Sequence, residues 1–422
     1  MNTHDIYLVP GLSTPFARVD GALRSLDAVA LSVPVAKAMA GGRPQGAIDF
    51  VVWGTVAPNL GWSNIAREVW VDAGLDRSVP AFSTVMACST SMVATFEAAG
   101  MLGAEHQLAV CGGVESMSRI QIGLTQGLSV WIRRLSQARS FGERADRFME
   151  IRGSDIKLHI PSVANRATGK SMGEHCEEMA KFWNIARADQ DRIAYESHRR
   201  AVAAITSGFF DDLVIPVEGM AKHGIPRADT SPEKLATLKP AFDRTSGRGT
   251  ITAGNSSPLT DGAAGIWVGT AEGVARLPAD RPRVKLVDWE IAAVDLFKEG
   301  LLMAPAYAIP RLLARHGLTL ASIDLWEIHE AFAAQVLCNV AALENEAFLR
   351  ETAKVDAPMG KFPWERWNPN GGSVSIGHPF GATGARILSQ AVKELAAMGK
   401  GKRAIVSICA DGGVGTVALL ET

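Results

Sequence analysis

Strand-like and helix-like runs alternate along this chain, and the alternation occurs twice. The first series starts with a strand at Ile6–Val9, and the second starts after Pro278. Such alternation is typical of a mainly parallel sheet with helices on both of its faces. We therefore predict a duplicated α/β unit. In this interpretation the strand–Cys88–helix run of the first copy corresponds to the strand–His329–helix run of the second.

The stretch between the two series has a different character. From about 119 to 245 strand candidates are rare, and charged helical segments such as 173–183 dominate. At 422 residues the chain exceeds the size at which single cores stop growing, so more than one unit is expected. The predicted divisions are an N-terminal half at 1–118 completed by 246–275, a mainly helical insertion at 119–245, and a C-terminal half at 276–422.

Charge and cysteine usage exclude several classes of protein. The formal net charge of −1 gives no overall attraction to nucleic acid or to an anionic membrane. The five cysteines are an odd number without a CxxC pair, which argues against a disulfide framework or a metal site. No secretory signal and no run of 18 apolar residues is present. We expect a cytoplasmic protein without a membrane span, a nucleic-acid partner or a metal.

The stretch around Cys88 is the first candidate site. A short β-rich run from Ala81 leads into Cys88, and Ser89–Ser91 then opens a helix, because Ser and Thr cap helix N-termini. At such a position the helix dipole and free N–H groups favour a thiolate over a thiol. The alternative is that Cys88 is a buried small hydrophobe, as most free cysteines are.

Three further polar clusters fall at strand ends. His329 follows a strand and starts a helix, where a capping role is about as good an explanation as catalysis. His378 lies among five glycines, which serve unusual φ values or close approach by a ligand. Cys409 follows a buried-looking strand and taken alone reads as a core residue. Two thiols and two imidazoles together are a candidate constellation for covalent acyl chemistry.

Five separated motifs in a fixed order resemble those of one family, the thiolases, which cleave or form 3-ketoacyl-CoA thioesters. The motifs are ACSTSM around Cys88 with CGGVESMSR (111–119), GTITAGNSSPLTDGAA (249–264), HEAFAAQ (329–335), GGSVSIGHPFGATGAR (371–386) and CADGGVGTVALLE (409–421). The resemblance implies a thiolase fold: a duplicated, five-layered α/β/α/β/α core with an inserted, mainly helical loop domain.

The resemblance also implies a role for each site residue. Cys88 would be the acylated nucleophile, His378 the base that takes its proton, and Cys409 the acid/base at the α-carbon. His329 stands where many thiolases have the Asn of an NEAF motif, and would help to bind the thioester oxygen through a water. HEAF is typical of the thiolase subunits of trifunctional β-oxidation complexes. Asp411 is a departure, since relatives carry Gly or Ala there, and we expect its side chain to face away.

For the ligands, the resemblance implies coenzyme A as a co-substrate and no tightly bound cofactor. Residues matching the family's CoA contacts, and a Met that matches the acyl pocket, are Arg227, Ser257, Ala331, Phe332 and Met172. The rival interpretations are a condensing ketosynthase, a biosynthetic acetoacetyl-CoA thiolase and a non-catalytic carrier of CoA or lipid. A second thiol such as Cys409 speaks against the ketosynthase, and the filled catalytic positions speak against the carrier.

The expected partners are a second copy of the chain, as a dimer or dimer of dimers, and an enoyl-CoA hydratase/3-hydroxyacyl-CoA dehydrogenase subunit. The segment 125–152 is a candidate docking surface for that subunit. Its apolar residues recur at helical spacing from Leu128 to Leu135, and its arginines outnumber its acidic residues. The alternatives are an apolar stripe packed on the loop domain with a solvated outer face, and a surface for anionic lipid.

Overall fold

The computed structural model describes residues 4–422, so residues 1–3 of the predicted N-terminal half lie outside it. The described chain divides into two compact units. One contains the residues up to Arg119 together with Asn165–Thr422, and the other is Ile120–Ala164. Within the described residues no helix is both long and apolar enough to cross a bilayer.

The described residues form twelve β-strands. They are β1 (Ile6–Ser13), β2 (Ala17–Arg18), β3 (Phe50–Thr55), β4 (Ala81–Phe82), β5 (Leu108–Glu115), β6 (Gly123–Leu124), β7 (Leu158–His159), β8 (Thr260–Gly269), β9 (Val284–Ala293), β10 (Leu325–Ile328), β11 (Arg403–Ala410) and β12 (Val414–Glu421).

The described residues form thirteen α-helices. They are α1 (Ala28–Ala40), α2 (Ile65–Asp72), α3 (Thr90–Met101), α4 (Gln126–Gln137), α5 (Phe141–Met149), α6 (Met172–Phe182), α7 (Arg187–Thr206), α8 (Pro232–Ala236), α9 (Ala271–Ala275), α10 (Ala304–Arg315), α11 (Ala333–Leu343), α12 (Ser373–Ile376) and α13 (Thr383–Ala397). A π-helical turn at Phe348–Ala353 follows α11.

The strands of the larger unit pair in the order β10-β11-β12-β9-β1-β8-β5-β3-β4, with β2 added beside β8. The pairs β3–β4, β3–β5 and β10–β11 are parallel, while the pairs between them are antiparallel. The prediction of a mainly parallel sheet is therefore wrong. Strands buried on both faces, such as β8 with every residue buried, give continuous apolar runs whichever way they point.

The sheet confirms the duplication. On one side of the central β1–β9 pair the order runs β1-β8-β5-β3, and on the other it runs β9-β12-β11-β10, with the same sequence of antiparallel and parallel pairs. The correspondence of Cys88 with His329 is wrong, however. The helix before β5 is α3, and the helix before β11 is α13, so the equivalent of the Cys88 turn is the loop that carries His378.

Helices α3 and α13 form the inner layer of the fold. They pack on each other, and α13 contacts strands of both halves, among them β1, β8, β10 and β11. Nearly every residue of α13 is buried, which is why its sequence is rich in Ala and other small residues. Helices α1 and α2 pack on the first half, and α10 packs on the second. The loop that carries Cys88 therefore precedes α3, and the loop that carries His378 precedes α13, at the centre of the fold.

The smaller unit, Ile120–Ala164, contains α4, α5 and the short β6–β7 ribbon. The predicted helix through Leu128 and Leu135 is present as α4, and Trp131 donates from Nε1 to the carbonyl of Arg147 at 2.7 Å. Helix α5 buries none of its residues. The predicted insertion at 119–245 is wider than this unit, and its outer boundaries stay a prediction.

Candidate active site

Cys88 lies in a tight turn between β4 and α3. The turn begins with Ala87, a residue with a side chain at φ 46°, which is a strained backbone conformation that persists only where surrounding contacts enforce it. Thr90 supplies one such contact, because its Oγ1 accepts from the N–H of Met86 at 2.9 Å and donates to the carbonyl of Ala87 at 2.8 Å. The sequence prediction of a strand-to-helix junction at Cys88 is confirmed.

His378 sits in a glycine-rich loop before α13. Gly377 has φ 107°, and a Cβ there would lie 2.6 Å from Cδ1 of Ile225, so only glycine fits. The N–H of His378 donates to Oγ1 of Thr260 at 3.0 Å, which fixes the loop against β8. Gly377 thus has the unusual φ value that the sequence predicted, and it also leaves room for the side chains of Ile225 and Thr260.

His329 follows β10, and Cys409 is the second-last residue of the neighbouring parallel strand β11. The N–H of His329 donates to the carbonyl of Ser407 at 2.8 Å, which continues the β10–β11 ladder by one residue. Because parallel strands end at the same edge of a sheet, His329 and Cys409 lie close together at that edge. Both are buried, with His329 0% and Cys409 1% exposed.

The structure brings three of the predicted groups into one cluster. The sulfur of Cys88 and one ring nitrogen each from His329 and His378 all lie within 4.8 Å of one another. The two imidazole rings are 4.1 Å apart between centroids. Burial raises the pKa of Cys409 well above its ordinary value, and Cys409 lies close enough to Cys88 for the charge of a Cys88 thiolate to add to the rise. The three ligand atoms could also hold a metal ion, a use that would compete with covalent chemistry at Cys88.

The protonated nitrogen of His378 follows from its neighbour Thr383, which sequence reasoning missed. Thr383 donates its single hydroxyl hydrogen to the carbonyl of Pro379 at 2.9 Å. With its hydrogen on that carbonyl, Oγ1 lies 2.6 Å from Nδ1 of His378 as an acceptor, an arrangement that favours the imidazole hydrogen on Nδ1. Nε2 of His378 is buried and has no protein partner. It is left with a free lone pair.

The pKa of Cys88 differs from the expectation. Burial of the thiol raises its pKa to about 12, and the carboxylates of Asp411 and Glu115 add to the rise. The N–H groups of Asp411 and of Cys88 itself lower the pKa of the thiol, but by less than burial raises it. The predicted preference for a thiolate is therefore wrong, because desolvation outweighs the helix terminus. At rest Cys88 is a thiol and needs a base.

Both imidazoles are neutral at neutral pH. Burial, together with the positive charge of Arg386, lowers the pKa of His378 to about 3. Burial, with His378 and Arg386, holds the pKa of His329 well below its ordinary value. A neutral thiol thus faces neutral imidazoles, so the proton of Cys88 moves only as its sulfur attacks.

Asp411 keeps its carboxylate at the edge of the site. Its Oδ1 accepts from Nδ2 of Asn165 at 2.8 Å and from the N–H of Gly412 at 2.7 Å. These two donors anchor the side chain, although its charge still reaches Cys88 and raises the pKa of the thiol. Asn165 was not singled out in the sequence, because its partner lies 246 positions away.

The predicted CoA contacts fall into two places. Ser257 donates from its N–H to the carbonyl of Ala331 at 2.9 Å, and Phe332 stacks edge-on with Phe242 at 5.8 Å between ring centroids. Met172 begins α6, and the following glycine packs on the ring of Phe242. These residues therefore form one continuous patch.

Arg227 lies apart from that patch. It is exposed, its N–H donates to Nδ1 of His198 at 3.2 Å, and its guanidinium lies 3.3 Å from Nε2 of the same ring. No hydrogen bond among the described residues joins it to the other predicted contacts.

The fold and the cluster define a class: a duplicated α/β protein with a half-buried thiol beside two buried, neutral imidazoles, an arrangement suited to covalent chemistry. The family descriptions that match are "Thiolase, N-terminal domain" over residues 6–272 and "Thiolase, C-terminal domain" over residues 280–422. The chain therefore belongs to the thiolase family.

Its relatives carry two related descriptions. A 3-ketoacyl-CoA thiolase of Yersinia enterocolitica is 35% identical over 99% of this chain and 96% of its own length. Among solved structures, an acetyl-CoA acetyltransferase of Bacillus anthracis is 31% identical with a TM-score of 0.79, covering 99% of this chain and 98% of that one. A thiolase of Ascaris suum in complex with coenzyme A has the same TM-score at 29% identity, covering 99% and 100% of the two chains.

Proposed function

We propose that this protein is an acyltransferase that cleaves 3-ketoacyl-CoA with coenzyme A, through an acyl group held on Cys88. The observation that carries the proposal is the placement of the Cys88 sulfur within 4.8 Å of nitrogens of His329 and His378. The reverse reaction is the condensation of two acyl-CoA molecules. Coenzyme A serves as co-substrate, and the cytoplasm and fatty-acid β-oxidation are the proposed setting.

In the first half-reaction the sulfur of Cys88 attacks the 3-keto carbon while its proton passes to Nε2 of His378. The N–H groups of Asp411 and Cys88 are placed to hold the resulting oxyanion. The bond between the second and third carbons then breaks and gives the enolate of acetyl-CoA. His378 has just become an Nε2–H donor, so it and His329 both face the negative thioester oxygen, directly or through a water.

Cys409 completes that half-reaction by giving its proton to the enolate carbon. Its thiolate then takes the proton of an incoming CoA thiol, and the CoA thiolate attacks the acyl group on Cys88. The sulfur of Cys88 leaves and recovers its proton from His378. Every proton is returned, and the kinetics are ping-pong. The high pKa of buried Cys409 suits it to exchange a proton with a weakly acidic carbon.

A cavity of about 760 Å³ favours cleavage of longer chains over a purely biosynthetic acetoacetyl-CoA thiolase. It has the volume and the aromatic walls of a ligand pocket, with Phe182, Trp183, Tyr307 and Phe348 among its lining residues. Leu296 also lines it and faces the loop that follows Cys409, since a Cβ on Gly413 would lie 3.2 Å from its Cβ. Leu296 therefore connects the cavity wall to the loop after Cys409, while the four catalytic residues themselves do not line the cavity.

We expect Thr352→Trp, which fills part of that cavity, to change chain-length preference. Thiolysis of acetoacetyl-CoA should stay within about twofold of the parent. For 3-ketohexadecanoyl-CoA, kcat/KM should fall about 10-fold or more, because excluding two methylenes forfeits about 0.8 kcal/mol each. The measurement is thiolysis of a ladder of 3-ketoacyl-CoAs. The matched control is Thr206→Trp at an exposed site on α7.

An unchanged ladder would show that the cavity does not hold the acyl chain. A parent that cleaves only acetoacetyl-CoA would favour the biosynthetic alternative, and a parent inactive throughout would contradict the proposed function.

For partners, we propose a homodimer or dimer of dimers that binds a hydratase/dehydrogenase subunit through the Ile120–Ala164 unit. Support comes from the exposure of apolar side chains in α5, where Phe141 is 88% and Met149 81% exposed. Contiguous exposed apolar groups of this kind mark interaction sites. On α4, Arg133 and Arg134 are exposed beside them and add positive charge.

Reversing Arg133 and Arg134 to Glu should leave thiolysis intact and weaken capture of that subunit, more strongly at low salt than at high salt. Pull-down of the host's hydratase/dehydrogenase subunit at two ionic strengths measures this. Lys37→Glu on α1 provides a charge-reversal control. If no such subunit is recovered with the parent, or if both variants capture it equally, the surface has no docking role.

A further inference from the structure

Ser373 and Arg386 form a hydrogen-bonded pair on the Nδ1 side of the His329 ring. Oγ of Ser373 lies 2.9 Å from Nδ1 of His329, and a guanidinium N–H of Arg386 donates to the same oxygen at 3.3 Å. Ser373 begins α12 and is fully buried, and Arg386 lies on α13 with 5% exposure. Neither residue touches Cys88 or is needed to form the three-residue cluster.

The direction of each hydrogen bond follows from the chemistry of the groups. Arg386 can only donate, so the Ser373 oxygen accepts from it. The one remaining hydrogen is that of the Ser373 hydroxyl, and Nδ1 of His329 is the acceptor beside it. If Nδ1 carried the imidazole hydrogen, that hydroxyl would lose this partner in a buried site. The network therefore favours a hydrogen on Nε2 of His329.

Arg386 is itself held in place by a buried polar network. It donates to Oε1 of Gln390 at 2.7 Å, and the carboxylates of Glu327, Glu330 and Glu394 surround its charge. A buried guanidinium with such partners is rigid and keeps its charge. This charge also disfavours a second proton on the His329 ring, so that ring stays neutral.

We propose that Ser373 and Arg386 are positioning residues that set His329 in the tautomer with a hydrogen on Nε2. Nε2 of His329 is buried without a protein partner, in the cluster with Cys88. The two imidazoles thus take opposite tautomers: His378 offers a lone pair to the thiol, and His329 offers a hydrogen to a negative oxygen. An Asn side chain always carries N–H donors, whereas a neutral histidine carries a hydrogen on only one of its two nitrogens. The pair is therefore needed only when position 329 is a histidine.

The inference rests on the proposed thiolase chemistry, and a double-mutant cycle tests it. Removal of the donor in His329→Ala should lower kcat by about 10²–10³, while His329→Asn should retain measurable activity. Ser373→Ala should lower kcat by roughly 10-fold, since it withdraws the donor from only part of the population, with KM for CoA little changed. In the His329→Asn background the same Ser373→Ala change should cost less than about twofold.

Two variants show whether the loss is specific. Ser373→Thr keeps the hydroxyl and should restore most of the activity. Ser375→Ala removes another buried hydroxyl from α12, one that contacts Ser197 instead of His329, and should not show the same dependence on residue 329. Equal losses from Ser373→Ala in both backgrounds would reduce Ser373 to a structural role and overturn the proposal.

A second measurement does not depend on activity or on the folding of a variant. Nitrogen-15 NMR of labelled histidine in the resting parent should show His329 protonated at Nε2 and His378 protonated at Nδ1. A His329 protonated at Nδ1 overturns the proposal. An inactive parent with the expected tautomers would instead count against the proposed thiolysis, so the two failures are distinguishable.

Discussion

Cys88→Ala should abolish thiolysis and the formation of an acyl-enzyme, with a loss of roughly 10⁴-fold or more in kcat. In the proposed mechanism Cys88 alone carries the acyl chain, because His378 serves as its base and Cys409 exchanges a proton with the substrate carbon. Mass spectrometry after treatment with acetoacetyl-CoA should place the acetyl group on Cys88 in the parent and show none in the variant.

The matched control is Cys111→Ala, which removes a buried thiol from β5 that contacts the carbonyl of Ala94. It should still be acylated at Cys88. Stable acylation of the Cys88→Ala variant at another residue would contradict the assignment of the nucleophile.

Cys409→Ala should separate the two chemical steps. The variant should still take an acyl group on Cys88 from a simple activated thioester, because that step needs only the thiol, His378 and the oxyanion donors. Cleavage of acetoacetyl-CoA should fall by several powers of ten, on the order of 10³-fold or more, because the enolate carbon then has no proton donor. Burst acylation and steady-state thiolysis measure the two steps separately.

Exchange of deuterium into the α-carbon of acetyl-CoA gives a further readout for Cys409. The parent should catalyse this exchange and Cys409→Ala should not. Equal loss of acylation and of carbon–carbon cleavage in the variant would refute the division of labour between the two thiols.

Features of the structure that depend on local sequence patterns and motifs could be predicted from the sequence. It placed Cys88 at a strand-to-helix junction, found the duplication, and selected the residues that the structure gathers in one cluster. It did not give the direction of the buried strands, because β8 reads as one apolar run in either orientation. It also paired the Cys88 loop with the wrong loop of the second half, since helix order alone does not show which helix precedes the equivalent strand.

The protonation states were beyond the sequence for a physical reason. A cysteine at a helix start is expected as a thiolate, yet the pKa of Cys88 is raised by burial, which depends on what the whole fold packs around it. In the same way Thr383 and Ser373 stand in a recognisable motif. Only the distances to His378 and His329 show that each hydroxyl decides where an imidazole carries its hydrogen.

The central position of β1 has a consequence for how the protein is made. Residues Ile6–Ser13 are synthesised well before their strand partners, β8 and β9. An apolar strand with both edges open must therefore wait until the ribosome has passed Ala293. Unpaired strand edges in growing chains invite wrong pairing, so the nascent protein should depend on chaperones during most of its synthesis.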